Sequence, residues 1–418
     1  IMYKHKMKDL NKIVIIGAGH AGVQAAASLR ENNYNGEILI FDKDPNLPYQ
    51  KPPLSKKFLL DEENNPSLLR GAEWYQKKNI RLLNNNIISK IDRNKKIVVD
   101  LKGKKFSYDK LILATGSVNK TFNDLDPSKY SNLINLRSLN DSIKLKNLLL
   151  KSNNILIVGA GFIGLEVAAI SKLLDKKVTI LENSSRVMGR NLSYKLSQWY
   201  IEHHKKKGIN FLFNETITSI KAKNKIINSV QTLNNNDLEI DFLLTAIGSF
   251  PETSLAKTIN LNINDGICVN QNMQTNDPNI YAIGDCTNFN YGSRNIRLES
   301  IQNAVDQSKT AALNILNIKH KYTPIPWFWS DQFDLKLQIV GLNTSIKDSQ
   351  DIRTLGSKSD SKFSHFIFEN EKLLYVESVN SPAHHLLLRN NFKIWRSIKP
   401  SMIYENLDLK SLLTKLAQ

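Results

Sequence analysis

The sequence predicts an α/β chain of two parallel-sheet units followed by an α+β segment, and three observations carry that prediction. An apolar run breaks into a glycine-rich turn and then an Ala-rich helix over Lys12 to Arg30. The same pattern returns from Ile155 to about Leu174, and from Tyr322 the composition changes to aromatic, strand-like stretches.

Ile13 to Ile16 are β-branched and unrelieved by polar residues, as expected of a strand buried on both faces of a parallel sheet. In Gly17-Ala18-Gly19-His20-Ala21-Gly22, Gly17 permits the tight turn, Gly19 lets backbone approach a pyrophosphate, and Gly22 lets helix and strand pack closely. A second strand, Glu37 to Phe41, ends in Asp42, about 25 residues after Gly17 and near the spacing for a carboxylate on a ribose hydroxyl. Strand, loop, helix, strand and acid in this order predict a dinucleotide-binding unit.

The prolines of Pro45 to Pro53 predict an extended loop before a short helix capped by Ser55, with Lys56 and Lys57 in its first turn. Cations there oppose the helix macrodipole, so at least one of the two lysines is expected to have another task. Ile80 to Ile91, Ile97 to Leu101 and Phe106 to Leu113 read as strands, closing at Ala114-Thr115-Gly116.

The second copy, Ile155 to Val158 followed by Gly159-Ala160-Gly161-Phe162-Ile163-Gly164, predicts a second dinucleotide site. Its next strand, Val178 to Leu181, ends in Glu182, a carboxylate that accepts from a free ribose hydroxyl and repels a 2′-phosphate, which favours NAD over NADP. Arg186 and Arg190 lie just beyond as candidate receivers of such a phosphate. Gln198 to Lys207 reads as helix and Ile209 to Ile240 as a small antiparallel excursion. Phe242 to Gly248 mirrors the earlier Leu-Ile-Leu-Ala-Thr-Gly, so the two are expected to mark chain crossings between the nucleotide-binding units. The predicted domains are 1–116 with 247–323, then 117–246, then 324–418. Asn279 to Asp285 reads as a strand entering a Gly-Asp turn whose Asp285 is a candidate for a flavin's ribityl chain, and Leu298 to Ile318 as an amphipathic helix. Beyond Tyr322, strands are expected at Leu335 to Val340, Phe363 to Phe368 and Leu373 to Val379, with a helical tail.

At 418 residues, 41% hydrophobic and 23% charged, the composition is that of a globular protein rather than a disordered one. The N-terminal IMYKHKMKDLNK lacks the apolar middle of a secretory signal and no run is long enough for a membrane span, so a cytoplasmic location is expected. Two cysteines, Cys268 and Cys286, supply neither a CxxC pair nor a metal cage. The net charge of +18 favours an acidic partner, although an AT-rich coding bias toward Asn, Lys and Ile accounts for it equally well. No nucleic-acid module is present in the sequence.

Together the two GxGxxG units, LPYQKPPLSK, ATG, YAIGDC, RLESIQNAVDQ and PWFWSDQFDLKLQ resemble the single-flavin, NAD(P)H-dependent ferredoxin reductases of bacterial oxygenase systems, over essentially the whole chain. The resemblance implies two Rossmann-like domains of the glutathione-reductase type, the first for FAD and the second for NAD, plus a C-terminal α+β interface domain. It implies that FAD is held by Gly17, Gly19, His20, Ala21, Gly22, Lys56, Ile88, Ala114, Arg137, Asp285, Ile301 and Trp329, and NAD by Gly159, Gly161, Phe162, Ile163, Gly164, Glu182 and Gly248. The family's usual ribose acid falls where this chain has Lys43, so Asp42 or Asp44 is expected to substitute. The family's acid and aromatic after Asn-x-Pro are replaced by Ala383, His384 and His385, and the two histidines are expected at the surface rather than on a metal.

Without a dithiol, electrons are expected to leave the flavin directly: hydride from NADH to FAD N5, then single electrons to a small acidic two-iron ferredoxin, or to rubredoxin. The resemblance places Lys56 and Glu166 near N5 and Trp329 beside the flavin at the exit, and the positive charge adds Lys309 among the groups expected to meet an acidic carrier; the carrier is expected to serve a cytochrome P450 or a Rieske-type oxygenase. A redox-sensing binding protein of the apoptosis-inducing-factor kind is the competing reading, and monomer and homodimer remain equally open.

Overall fold

The computed structural model describes residues 10–122, 125–292, 294–343 and 350–418, so most of the N-terminal segment read above lies outside the described residues. The chain divides into two compact units. One comprises residues up to Gln50, Pro66–Val118 and Ser249–Pro324; the other comprises Lys51–Asn65, Asn119–Gly248 and Ile325–Gln418.

The first unit is built on a five-stranded parallel sheet in the order Ile280–Ala282, Lys110–Leu113, Lys12–Ile16, Glu37–Phe41, Ile80–Leu83. The central strand is sealed on both faces, and Ile13, Val14 and Ile15 have no exposed surface. Helices His20–Glu31 and Ile301–Ile315 bury Ala25, Ala26, Ala311 and Ala312 in one core, and Ser308 Oγ donates to the Ala21 carbonyl at 2.8 Å. The single strand expected over Ile80 to Ile91 is two, Ile80–Leu83 and Ile88–Asp92, separated by a turn in which Asn85 takes φ +50°. Asparagine tolerates that left-handed conformation better than most residues, so the chain turns where hydrophobicity alone continues. Phe106 to Leu113 also divides, into Lys105–Ser107, which pairs antiparallel with Ile97–Asp100, and Lys110–Leu113, which joins the parallel sheet.

The second unit contains a parallel sheet ordered Ile209–Phe213, Lys177–Glu182, Asn154–Val158, Phe242–Thr245, Leu133–Ile134, and a three-stranded antiparallel excursion within 217–239. It also contains the C-terminal antiparallel sheet, ordered Trp327–Gln332, Leu335–Gly341, Lys372–Val379, Lys362–Glu369, Asp351–Ser357. Helix Tyr194–Lys206 starts four residues before the Gln198 expected, with Ser193 as its cap, and helix Ile301–Ile315 is shorter than the expected Leu298 to Ile318 because Ser300 caps it.

Two buried polar anchors hold the second unit. Glu377, with no exposed surface, accepts from the Ser193 backbone N–H and at 2.7 Å from Ser193 Oγ, placing a carboxylate at the positive end of helix Tyr194–Lys206. On the same helix His204 is fully buried, its Nδ1 2.9 Å from the Tyr200 carbonyl oxygen and its ring edge-on to Phe211 and Phe333. Burial holds that imidazole down from 6.5 to about 4.

The unfolded chain therefore takes up a proton near 6.5 that the folded chain refuses until about 4, so stability falls as pH drops through that window. The expected loss at its acid end is about 3 kcal/mol from this group. Thermal melts of wild type and His204→Leu across the window measure it; the variant's midpoint should vary less with pH, and parallel curves would count against a neutral buried imidazole.

Candidate active site

Each parallel sheet carries a glycine cradle at the C-terminal end of its central strand, and the two are built alike. A Cβ at Gly17 would overlap the Ala114 carbonyl and one at Gly22 the Gly17 carbonyl, while a Cβ at Gly19 would meet nothing within 4 Å. In the second cradle Gly159 is equally crowded by the Ala246 carbonyl and Gly164 by the Gly159 carbonyl, and Gly161 is again open. Gly17 and Gly159 take φ +106° and +105°, in the left-handed region that favours glycine. The outer glycines of each trio thus serve the fold, and the middle one faces space.

The helices behind these open glycines, His20–Glu31 and Phe162–Leu173, have glycine N-caps, no side-chain cap and no acid in the first turn. The other helices of twelve or more residues among those described, Leu139–Lys151, Tyr194–Lys206 and Ile301–Ile315, are each capped by a serine hydroxyl. A helix N-terminus without a side-chain cap, an open approach and a positive helix end fit a pyrophosphate at both places. An acid stands at the same register in each: Asp42 Oδ2 accepts from Ala18 N at 3.2 Å, and Glu182 Oε2 from Ala160 N at 2.8 Å. Asp44, the other candidate for the first ribose, accepts from Tyr49 Oη at 2.7 Å and from Asn46, and Lys43 is exposed.

In the first unit, the Gly-Asp turn is fixed by the long helix that follows it. Gln307 Oε1 accepts from Gly284 N at 2.7 Å and from Thr287 Oγ1 at 3.0 Å, and Asp285 receives Ser117 Oγ at 3.4 Å. Gln307 has no exposed surface; its role lies within the RLESIQNAVDQ motif but its target is too distant in sequence to be inferred there. Ile301 opens that helix, Ile88 and Ala114 are buried, and Cys286 is a fully buried thiol whose pKa burial pushes up, as a packed residue rather than a redox group requires.

The second unit assembles a charged cluster from three separate segments. Glu166, 3% exposed on helix Phe162–Leu173, meets Lys56 Nζ at 3.0 Å and accepts from Ser330 Oγ at 2.6 Å and from Ser55 Oγ. Burial pushes the Glu166 carboxyl above the usual carboxylate range, and Lys56, Ser330 and Ser55 oppose that shift. The expected capping role of Ser55 is not observed: it ends a 3-10 turn, Pro52–Ser55, and its hydroxyl goes to Glu166. Lys56 sits between that turn and a second one, Lys57–Leu59, so of the two lysines it is Lys56 that has the other task while Lys57 is exposed. Ser142 Oγ donates to the Leu54 carbonyl at 2.7 Å and pins the turn from the opposite side.

Arg137 is half-buried directly before the capping box of Ser138 and Asp141. The Phe162 ring packs tilted against Phe328 with centroids 4.3 Å apart, Ile163 is exposed, and Gly248 takes φ +97° beyond the strand Phe242–Thr245. Trp329 is half-buried beside Trp327, whose ring carries the Arg389 guanidinium 4.8 Å from its centroid. Arg186 is held within its own loop, Nη1 on the Leu192 carbonyl and Nη2 on the Gly189 carbonyl, which leaves Arg190 the more exposed of the two arginines proposed for a phosphate. The two adjacent histidines are not surface residues. His385 is 4% exposed against Trp327 and His384 Nδ1 lies 2.9 Å from Ser364 Oγ, because Pro382 starts a helix that turns them onto the sheet.

The pyridine nucleotide-disulphide oxidoreductase family matches residues 11–308, and the reductase C-terminal domain matches 327–413. The chain belongs to that oxidoreductase family. It is 35% identical over 410 residues to rhodocoxin reductase of Rhodococcus erythropolis, covering 96% of this chain and 94% of the relative. It is 33% identical to a rubredoxin-NAD(+) reductase of Pseudomonas putida, with 91% and 99% covered. Among solved structures, the ferredoxin reductase for the CYP199A2 system of Rhodopseudomonas palustris superposes with TM-score 0.92 at 33% identity, covering 98% of this chain and 100% of that one. A covalent putidaredoxin reductase–putidaredoxin complex matches with TM-score 0.90 at 29% identity over 97% and 98% of the two chains. The protein is accordingly an oxidoreductase that uses FAD and NAD(H), and the twin cradles are what such cofactors require. Among the described residues no helix is long and apolar enough to cross a membrane.

The cradle geometry separates fold from ligand. Gly19→Ala should leave the melting temperature of the flavin-free protein unchanged while lowering FAD retention, whereas Gly22→Ala should destabilise the protein itself by more than about 1 kcal/mol. Flavin content and melts of both variants check this, and equal FAD retention in Gly19→Ala would count against the cradle.

Proposed function

We propose that this protein is an NADH-dependent reductase that passes electrons through FAD N5 to a small acidic iron–sulfur carrier, a two-iron ferredoxin that feeds a cytochrome P450 or a Rieske-type oxygenase. The observation that carries the reading is the state of the cysteines: Cys268 and Cys286 are both free and Cys286 is sealed in the core, so no dithiol takes electrons from the flavin. An external carrier must receive them. Relatives named as reductases of rubredoxin and of ferredoxin support that class of carrier, with rubredoxin the second candidate. The proposed compartment is the cytoplasm.

FAD, when bound, supplies the exchange between two-electron and one-electron chemistry. The chain's own part is to bind, orient and place charge. Gly17 to Gly22 with Asp42 and Asp285 are proposed to hold the FAD, and Gly159 to Gly164 with Glu182 the NADH. Lys56 is proposed as the cation that meets the negative charge of the reduced ring near N5, and Glu166 as the group that aims Lys56. Trp329 is proposed at the exit, with the exposed Lys309 among the docking groups.

Turnover with candidate ferredoxins and rubredoxins, each added singly to a cytochrome c reduction assay, tests the function. One carrier should be preferred, its reduction should slow as salt rises, and Lys309→Glu should raise its KM without changing flavin reduction by NADH. Equal rates with every carrier at every ionic strength would overturn the docking reading. Lys56→Met should slow stopped-flow flavin reduction at least about tenfold.

Donor choice has its own test. NADH is expected to be preferred, and Glu182→Ala should lower kcat/KM for NADH without making NADPH a good donor, because Arg186 is already bonded to the carbonyls of its loop. A variant that turns over NADPH as fast as wild type turns over NADH would show that Arg186 leaves those carbonyls or that the exposed Arg190 receives the 2′-phosphate.

A further inference from the structure

Glu166 is held by more than its lysine. Ser330, with no exposed surface on strand Trp327–Gln332, donates to Oε1, the oxygen that Lys56 also meets, and Ser55, 5% exposed, donates to Oε2. Gln332 Nε2 in turn donates to Ser330 Oγ at 3.1 Å, which leaves the Ser330 proton directed at the carboxylate. Ser330, Ser55 and Lys56 thus converge on the carboxylate as donors, the order that suits an ionised carboxylate, while Lys56 Nζ also donates to the Pro52 carbonyl and Gln332 Nε2 also meets Met188 Sδ. A protonated Glu166 would have to give its own proton to one of these hydroxyls and reverse the order.

We propose that Ser330, assisted by Ser55, is a positioning residue for hydride transfer: the two hydroxyls keep Glu166 ionised and oriented so that it fixes Lys56. The inference rests on the proposed role of Lys56 at the flavin. It also gives the strand carrying Trp329 a direct hold on the reducing side of the reaction, since Ser330 is the next residue along.

Charged groups on the elements around Glu166 do not supply this function. Strand Asn154–Val158 contains none, Glu182 on the neighbouring strand is committed to Ala160 and Ser184, Asp331 and Lys57 are exposed, and Lys172 on the same helix bonds the Lys176 carbonyl. Lys56 is the charge that acts on Glu166, and the two hydroxyls complete its shell.

The test compares wild type, Ser330→Ala, Ser330→Thr, Ser55→Ala and Lys56→Met as holoenzymes, reading flavin reduction by NADH against pH in stopped flow. A second readout is an infrared titration of the Glu166 carboxyl, whose band is assigned by its loss in Glu166→Gln. Ser330→Ala should move both the acid limb of the rate profile and the Glu166 titration up by about one pH unit. NADH affinity should not change, and Ser330→Thr, which keeps the hydroxyl, should restore both. Should Ser330→Ala fail to fold, Ser55→Ala carries the same comparison. If Lys56→Met slows flavin reduction but neither serine variant moves the profile or the band, the inference falls and the role of Lys56 stands. If Lys56→Met reduces flavin at the wild-type rate, the role of Lys56 falls and this inference with it.

Discussion

Burying a carboxylate is the constraint on which the second unit depends. An ionised Glu166 taken out of water is costly unless a countercharge and hydrogen-bond donors replace its hydration, and removing any one partner leaves the rest of the cost in place. The partners here are Lys56 and Ser55 from the Pro-Pro turn and Ser330 from the C-terminal sheet, segments more than a hundred residues apart from the helix in sequence. The prolines matter because they fix the approach of that turn before its polar groups engage, which limits the entropy lost in presenting Lys56. Ser142, which bonds the Leu54 carbonyl, completes the fixation from the helix that begins at Leu139.

Glu377, on the middle strand of the C-terminal sheet, repeats the device within the same unit. Its carboxylate is spent on Ser193, the cap of helix Tyr194–Lys206, and Ser193 also closes the loop that follows Glu182. That loop is internally determined: Met188 takes φ +49°, its N–H bonds the Ala160 carbonyl in the second glycine cradle, and Arg186 clasps two carbonyls within the loop. The C-terminal sheet therefore reaches the second nucleotide cradle through one buried acid and the Lys56 cluster through another. A strained residue such as Met188 persists because its surroundings over-determine it.

What was legible in the sequence follows from the range over which each feature is determined. Both cradles could be read because a backbone passing under a carbonyl, as at Gly17 and Gly159, admits no Cβ, and such a rule is written locally. The strand break at Asn85 was missed since hydrophobic period alone carries across an asparagine turn. Asp351–Ser357 was missed because an edge strand alternates polar with half-buried residues and shows no apolar run. Ser55 was misread as a cap for a physical reason: serine's hydroxyl serves a local N–H or a distant carboxylate equally well, and 111 residues separate it from Glu166. His385 was misplaced because a histidine turned inward is recognisable only once Trp327 is known to lie against it.

The two acids of the cradles show how one geometry absorbs a sequence departure. Asp42 and Glu182 occupy equivalent positions after their strands, and each bonds the N–H that follows the first glycine. Aspartate is one methylene shorter, and its bond is 3.2 Å where that of glutamate is 2.8 Å. Asp42 receives a further N–H from Asp44, as Glu182 does from Ser184, so both carboxylates are oriented by their own loops before any ribose arrives. The position after Asp42 can then carry an exposed lysine without loss of the loop-closing acid. Asp44 is occupied with Tyr49 and Asn46, and its contribution is to shape the Pro-rich segment. An acid that closes its loop with one oxygen and keeps lone pairs on both can still accept a ribose hydroxyl. That makes Asp42, rather than Asp44, the residue on which the first cradle's ribose contact is expected to fall.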